Sequence, residues 1–136
     1  MDKNRNTLQY FAGFFDADGH VCITKSKHNG HVLKIGVTNT NLEIIEIFKD
    51  RFNGHIKRYV PKNSNWKVRY DWVATSKFAV EALKKLYPFL GIKKDRAKIA
   101  LKFSELITKS KRVDSDNLKA REKFYLEMKS LNKRGL

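Results

Sequence analysis

A chain of 136 residues, 41% of them hydrophobic, with nine Phe, five Tyr and two Trp, can bury one core but hardly two, so general disorder is excluded and one domain over 1–136 is expected. Its 29 Lys and Arg against 14 Asp and Glu give a net charge of +15, a surface that seeks a polyanion rather than a small-molecule substrate. A lone cysteine, Cys22, excludes an internal disulfide, and the absence of CxxC or Cys/His spacing removes support for zinc.

The charge is spread along the chain: 15 basic and 8 acidic residues precede Ile92, and 14 and 6 follow it, which excludes a neutral domain carrying a basic tail. The opening MDKNRNT holds no apolar signal segment, and no stretch approaches the roughly 20 apolar residues of a membrane span. The sequence therefore predicts a soluble intracellular protein, in the cytoplasm or nucleoid of a prokaryote or in an organelle.

In chain order, Thr7 can cap a helix from Leu8 to Phe15, with Leu8, Phe11, Phe14 and Phe15 at helical spacing and Gly19 as its stop. The period then switches to two: Val21 and Ile23, then Leu33, Ile35 and Val37, flank Asn29-Gly30, which predicts a hairpin. Asn41 or Thr40 can cap a second helix striped with Leu42, Ile45, Phe48 and Phe52 and closed by Asn53-Gly54. A second hairpin pairs Ile56–Val60 with Trp66–Ala74 across Pro61-Lys62-Asn63-Ser64-Asn65. Ser76 can cap a helix ended by Pro88, and Lys93–Thr108 and Asp116–Leu131 have the pattern of two more amphipathic helices.

This order predicts an α+β fold, αββαββα, with a four-stranded antiparallel, saddle-shaped sheet covered by helices on one face, plus C-terminal helices. The other face is left bare, and period-two alternation says what it carries. Opposite Val21 and Ile23 lie His20, Cys22, Thr24 and Ser26; opposite Leu33, Ile35 and Val37 lie Val32, Lys34, Gly36 and Thr38. A small, polar and basic ribbon of this kind fits a DNA major groove. The expected DNA contacts are Cys22, Thr24, Ser26 and His28; Val32, Lys34 and Gly36; His55, Lys57 and Tyr59; and Lys67, Arg69 and Asp71.

The segment Phe11–Gly19, FAGFFDADG, ends an apolar helix with two acids. Negative charge at a helix C-terminus opposes the macrodipole, so Asp16 and Asp18 are misplaced for stability alone. The segment resembles the signature of LAGLIDADG homing endonucleases, matching at Ala12, Gly13, Asp16, Ala17, Asp18 and Gly19, with Phe at three other places. The element order over 7–107 is also that of the family, leaving 108–136 as a C-terminal helical extension. One motif, not two, implies the homodimeric type.

What the resemblance implies is specific. Two copies of the motif helix would pack about a two-fold axis through Phe11, Ala12, Gly13, Phe15 and Asp16, bringing two Asp18 carboxylates together. Asp18 and the Ala17 carbonyl would be oxygen ligands for Mg²⁺, with Mn²⁺ as a substitute and Ca²⁺ as an ion that binds without supporting cleavage. Asn39 would position water, although Thr38-Asn39-Thr40-Asn41 also has the composition of a turn and helix cap. Lys93, or Lys94 one residue on, would reach the scissile phosphate. Glu43 departs from the pattern, standing where a basic residue would serve. The implied activity is site-specific, metal-dependent cleavage of double-stranded DNA at a long pseudo-palindromic site, promoting intron mobility. Two other classes fit part of the sequence: a cleavage-inactive relative acting as an RNA splicing cofactor or DNA-binding regulator, and a basic structural RNA-binding protein, which leaves the motif unexplained.

Overall fold

The computed structural model describes residues 7–26, 30–63, 65–109 and 115–134. The elements run α1 (Leu8–Asp18), β1 (Gly19–Ser26), β2 (Gly30–Asn39), α2 (Leu42–Phe52), β3 (His55–Tyr59), β4 (Arg69–Thr75), α3 (Ser76–Leu86), a short 3₁₀ turn (Tyr87–Phe89), α4 (Lys94–Lys109) and α5 (Ser115–Arg134). The α+β expectation holds, with all strand pairs antiparallel in the order β1-β2-β4-β3.

Register sorts the two faces. Val21 pairs with Ile35 and Ile35 with Ala74, while Trp72 links Val37 to Ile56. This set faces the helices, and Val21, Ile35, Val37 and Trp72 are fully buried. An aromatic cluster closes the core: Phe11 stands edge-on to Phe48 at 4.9 Å and to Phe52 at 5.1 Å, and Phe48 lies 5.1 Å from Trp72. Such contacts add stability beyond the area they bury.

Local chemistry sets the element ends. The Thr7 hydroxyl accepts from the Tyr10 N–H at 3.1 Å, and Asn41 accepts from the Glu43 N–H at 3.0 Å, so each fills an orphan donor of a first turn. The α2 exit uses two left-handed residues, Asn53 (φ 64°) and Gly54 (φ 93°), and the Trp72 indole N–H ties it to the sheet through the Asn53 carbonyl at 2.7 Å. Gly19 ends α1 in extended backbone, φ −82°, rather than in the left-handed region. What requires glycine there is space, since a Cβ would lie 2.5 Å from the Phe15 ring.

Several boundaries differ from the sequence reading, α1 for one running on to Asp18 rather than ending at Phe15. The fourth strand starts at Arg69, not Trp66, because the Asn63 side chain accepts from the Asn65 N–H at 3.1 Å and the Asn63 carbonyl from the Trp66 N–H at 3.1 Å. These bonds extend the turn and leave Trp66 68% exposed. Ser76 begins α3 rather than capping it; Thr75 is the cap residue and makes no side-chain cap bond.

Candidate active site and nucleic-acid interface

The end of α1 gathers groups from three distant parts of the chain. Asp18 is its last residue and is exposed, and the Asn39 amide at the end of β2 donates to Asp18 Oδ2 at 3.2 Å. Asn39 also accepts from the Asn41 N–H through Oδ1 at 2.8 Å. One side chain makes both contacts: its carbonyl oxygen shapes the turn into α2 and its amino group points at the acid.

The third contributor is the loop before α4. Asp16 accepts from the Gly91 N–H at 2.8 Å and from the Lys93 N–H at 3.0 Å, one bond to each carboxylate oxygen. Lys93 returns its Nζ to the Asp16 carbonyl at 2.7 Å. Burial first, then the nearby Arg96 guanidinium, lowers the Lys93 pKa from its ordinary value, while Asp16 and Asp18 pull the other way. Lys94 turns elsewhere, its Nζ over the Tyr87 ring at 5.1 Å from the centroid. Of the two candidate lysines, Lys93 is the one brought to the motif.

Within one chain the residues expected at the dimer seam divide between buried and exposed positions. Phe11, Ala12 and Phe15 have at most 1% exposure and belong to the core, because an eleven-residue helix against a sheet must bury one stripe and these are its apolar members. Asp16 is spent on the loop of its own chain. Gly13 alone of the predicted set is exposed, with nothing within 4 Å of where its Cβ would be. Gln9 and Ala17 are exposed on the same stripe.

On the bare sheet face, register links Cys22 with Lys34, Thr24 with Val32, Thr38 with Asp71, Lys57 with Asp71, and Tyr59 with Arg69. Gly36 and His55 join them through Val73. Ten of the predicted contact residues thus share one surface. Lys67 lies in the turn before β4; Ser26 is described only as the end of β1, and His28 lies outside the described residues. Asp71 is neutralised locally: the Thr38 hydroxyl donates to it at 2.7 Å, and Arg69 lies at 3.7 Å while stacking on Tyr59 at 4.5 Å. Cys22 is half-buried, and burial pushes its thiol pKa up against the pull of Lys34, which disfavours the nucleophilic thiolate.

Sequence reasoning placed His20 on this face but gave it no role. The structure sets it beside Gly36, between the acid motif and the basic surface, where burial and then Lys34 hold its imidazole below the ordinary pKa of 6.5, with Asp71 opposing. Its position directly after Gly19 was the available signal. No group of three or more His, Cys, Asp or Glu that could hold a metal ion occurs among the described residues. One chain therefore offers a carboxylate and backbone carbonyls, which are hard oxygen donors, but not a closed site. No helix among the described residues is long and apolar enough to cross a membrane.

Comparison with known proteins bears on this arrangement. The family model for a LAGLIDADG-like domain matches residues 6–113. Among solved structures, the chain is similar to the homing endonuclease I-CvuI in complex with its target in the presence of Ca, at 19% identity over 91% of this chain and 80% of that one, with a TM-score of 0.73. The archaeal intron-encoded homing endonuclease I-Vdi141I, complexed with DNA, matches at 19% identity, 91% and 82% coverage and a TM-score of 0.73. The LAGLIDADG meganuclease I-AabMI bound to uncleaved DNA matches at 15% identity and a TM-score of 0.67, over 88% of this chain but only 43% of its own. No curated protein matches.

Proposed function

Because this chain belongs to the LAGLIDADG family, we propose that it is a homing endonuclease that binds a long pseudo-palindromic DNA site as a homodimer and cuts both strands with Mg²⁺, promoting intron mobility. The observation that carries the reading is the convergence of Asp18, Asn39 and Lys93 at the exposed end of α1. A protein that only binds polyanions gains nothing from an unneutralised carboxylate on a strongly basic surface.

The stripe Gln9, Gly13 and Ala17 is the proposed seam, since Gly13 lets a second backbone approach with no side chain between. Coverage supports it: the chain matches 80% of I-CvuI but 43% of I-AabMI, as one half of a doubled fold would. Two-fold symmetry of the protein then predicts two-fold symmetry of the target.

Asp18 and the Ala17 carbonyl have the chemistry to hold Mg²⁺ once two copies meet. A bound Mg²⁺ would supply a water of lowered pKa and compensate charge at the phosphodiester. Asn39 keeps the Asp18 carboxylate oriented through a 3.2 Å bond. Lys93, with one proton bonded to Asp16, keeps others for the phosphate oxygens and favours the charge that builds there. Of the ten residues of the bare face, the nine with side chains supply groove contacts, and Gly36 keeps the surface there open to a neighbouring side chain.

The reading is tested by incubating protein with candidate insertion-site DNA and Mg²⁺, Mn²⁺ or Ca²⁺. Cleavage is expected with the first two and binding alone with Ca²⁺. Asp18→Asn is expected to bind and not cut. Tight binding without cutting by the unaltered protein would instead favour a regulator or splicing cofactor.

A further inference from the structure

We propose that His20 is a specificity-determining residue of this DNA interface, a β1 side chain that reads DNA from the place a side chain at position 36 of β2 would occupy. The inference rests on the DNA-binding reading above. His20 and Gly36 are register partners, so they share the bare face. A Cβ built on Gly36 would lie 2.7 Å from His20 Cε1, 2.9 Å from His20 Nε2 and 2.5 Å from the Trp72 carbonyl oxygen. Real Cβ atoms do not approach other atoms so closely. The imidazole therefore leans across the β1–β2 gap onto a glycine that leaves room for it, and the outer surface of β2 is covered there by a residue of its neighbour.

Three consequences give the arrangement its meaning. A glycine has no side chain with which to discriminate bases, so position 36 cannot read sequence itself. The ring that covers it carries two polar nitrogens, and an imidazole N–H suits a base-edge acceptor such as purine N7. His20 also follows Asp18 by only two residues, which places it at the inner end of the face, nearest the proposed point of cleavage. Lys34 and the Thr38–Asp71 pair surround it on the same face. Lys34 suits phosphate and Asp71 is already bonded to Thr38, so His20 is the neighbourhood's free hydrogen-bonding group for a base.

The experiment is selection of bound sequences from a randomised duplex library by wild-type protein, His20→Ala, His20→Gln and Lys34→Ala. His20→Ala should lose preference, roughly 10-fold in enrichment, at one base pair in each half-site nearest the symmetry centre, each good base contact being worth about that much or more. His20→Gln, which keeps a donor and an acceptor on a side chain of similar reach, should retain most of it. Lys34→Ala should weaken binding alike at all sequences. A His20→Ala profile that matches wild type, or one that flattens at every position equally, overturns the inference while leaving the endonuclease reading intact. If His20→Ala fails to fold, His20→Gln decides: an inner-pair preference no different from that at unselected positions in both wild type and His20→Gln overturns the inference. Wild-type protein that selects no sequence overturns both readings.

Discussion

Asp16 and Lys93 hold each other at both ends: the Asp16 carboxylate accepts from the Lys93 backbone N–H at 3.0 Å, and the Lys93 ammonium donates to the Asp16 carbonyl at 2.7 Å. The first acid of the motif is thus a structural clamp on residues 91–93, and the second is left exposed beside Asn39. Asp16→Ala should destabilise the fold by about 1.5–3 kcal/mol, the range for hydrogen bonds to a charged group, and should also lower cleavage by displacing Lys93. Asp16→Asn, keeping one acceptor oxygen, should fall between. Chemical denaturation and cleavage rates on the same preparations check this; an Asp16→Ala midpoint equal to wild type would contradict the clamp.

Lys93 and Lys94 are adjacent in sequence but differ in what they touch. Lys93→Ala should lower the cleavage rate on the order of 100-fold, as loss of one donor to developing charge does elsewhere. Lys94→Ala removes a stack on Tyr87 and should change the rate only a few-fold. Single-turnover cleavage separates the two, and equal losses would refute the assignment.

Gly13 separates the fold of one chain from its proposed assembly. Its Cβ position is open in the single chain, so Gly13→Ala should raise the stability of that chain by about 0.5–1 kcal/mol through helix propensity. Gly13→Leu should keep the fold and abolish the dimer. Thermal melts with sedimentation of each variant test both halves, and a Gly13→Leu protein that remains dimeric excludes this stripe as the seam.

Glu122 on α5 ties down the β1–β2 hairpin, accepting from Lys25 at 2.8 Å and bonded to His31 Nε2 at 2.9 Å. The hydrogen bonds from Lys25 and His31 hold its carboxyl below the ordinary 4.5. A depressed folded-state pKa means the contribution is present above about pH 4.5 and is lost as pH falls through the lower folded value. Wild type should therefore melt above Glu122→Gln near pH 6, and the gap should close towards pH 3. A gap independent of pH would show that the carboxylate charge plays no part.

Much of this was legible in the sequence because alternation by two residues is a local property. Val21, Ile23, Leu33 and Ile35 disclose the buried face, and with it the identity of the bare one. The motif helix was harder. From Phe11 to Phe15 its residues are apolar or small on every side, so their composition could not say that Phe11, Ala12 and Phe15 point inward while Gly13 points out; the aromatic cluster with Phe48 and Phe52 decides it. The role of Asp16 depends on backbone N–H groups 75 and 77 residues away, and no local pattern encodes such a bond. His20 was missed for a related reason, since its neighbour Gly36 matters by what it lacks.

The sheet order leaves β1 and β3 at the edges, and each edge is closed to a further strand. On β1 the Asn132 amide of α5 occupies the Val21 carbonyl at 2.9 Å; on β3 the edge is five residues long and carries exposed Lys57 and Arg58. Short, cationic or occupied edges resist strand addition from another molecule. The sheet therefore has a fixed width. A chain of +15 is protected against edge-to-edge aggregation by the exposed Lys57 and Arg58 of one edge and by α5 at the other.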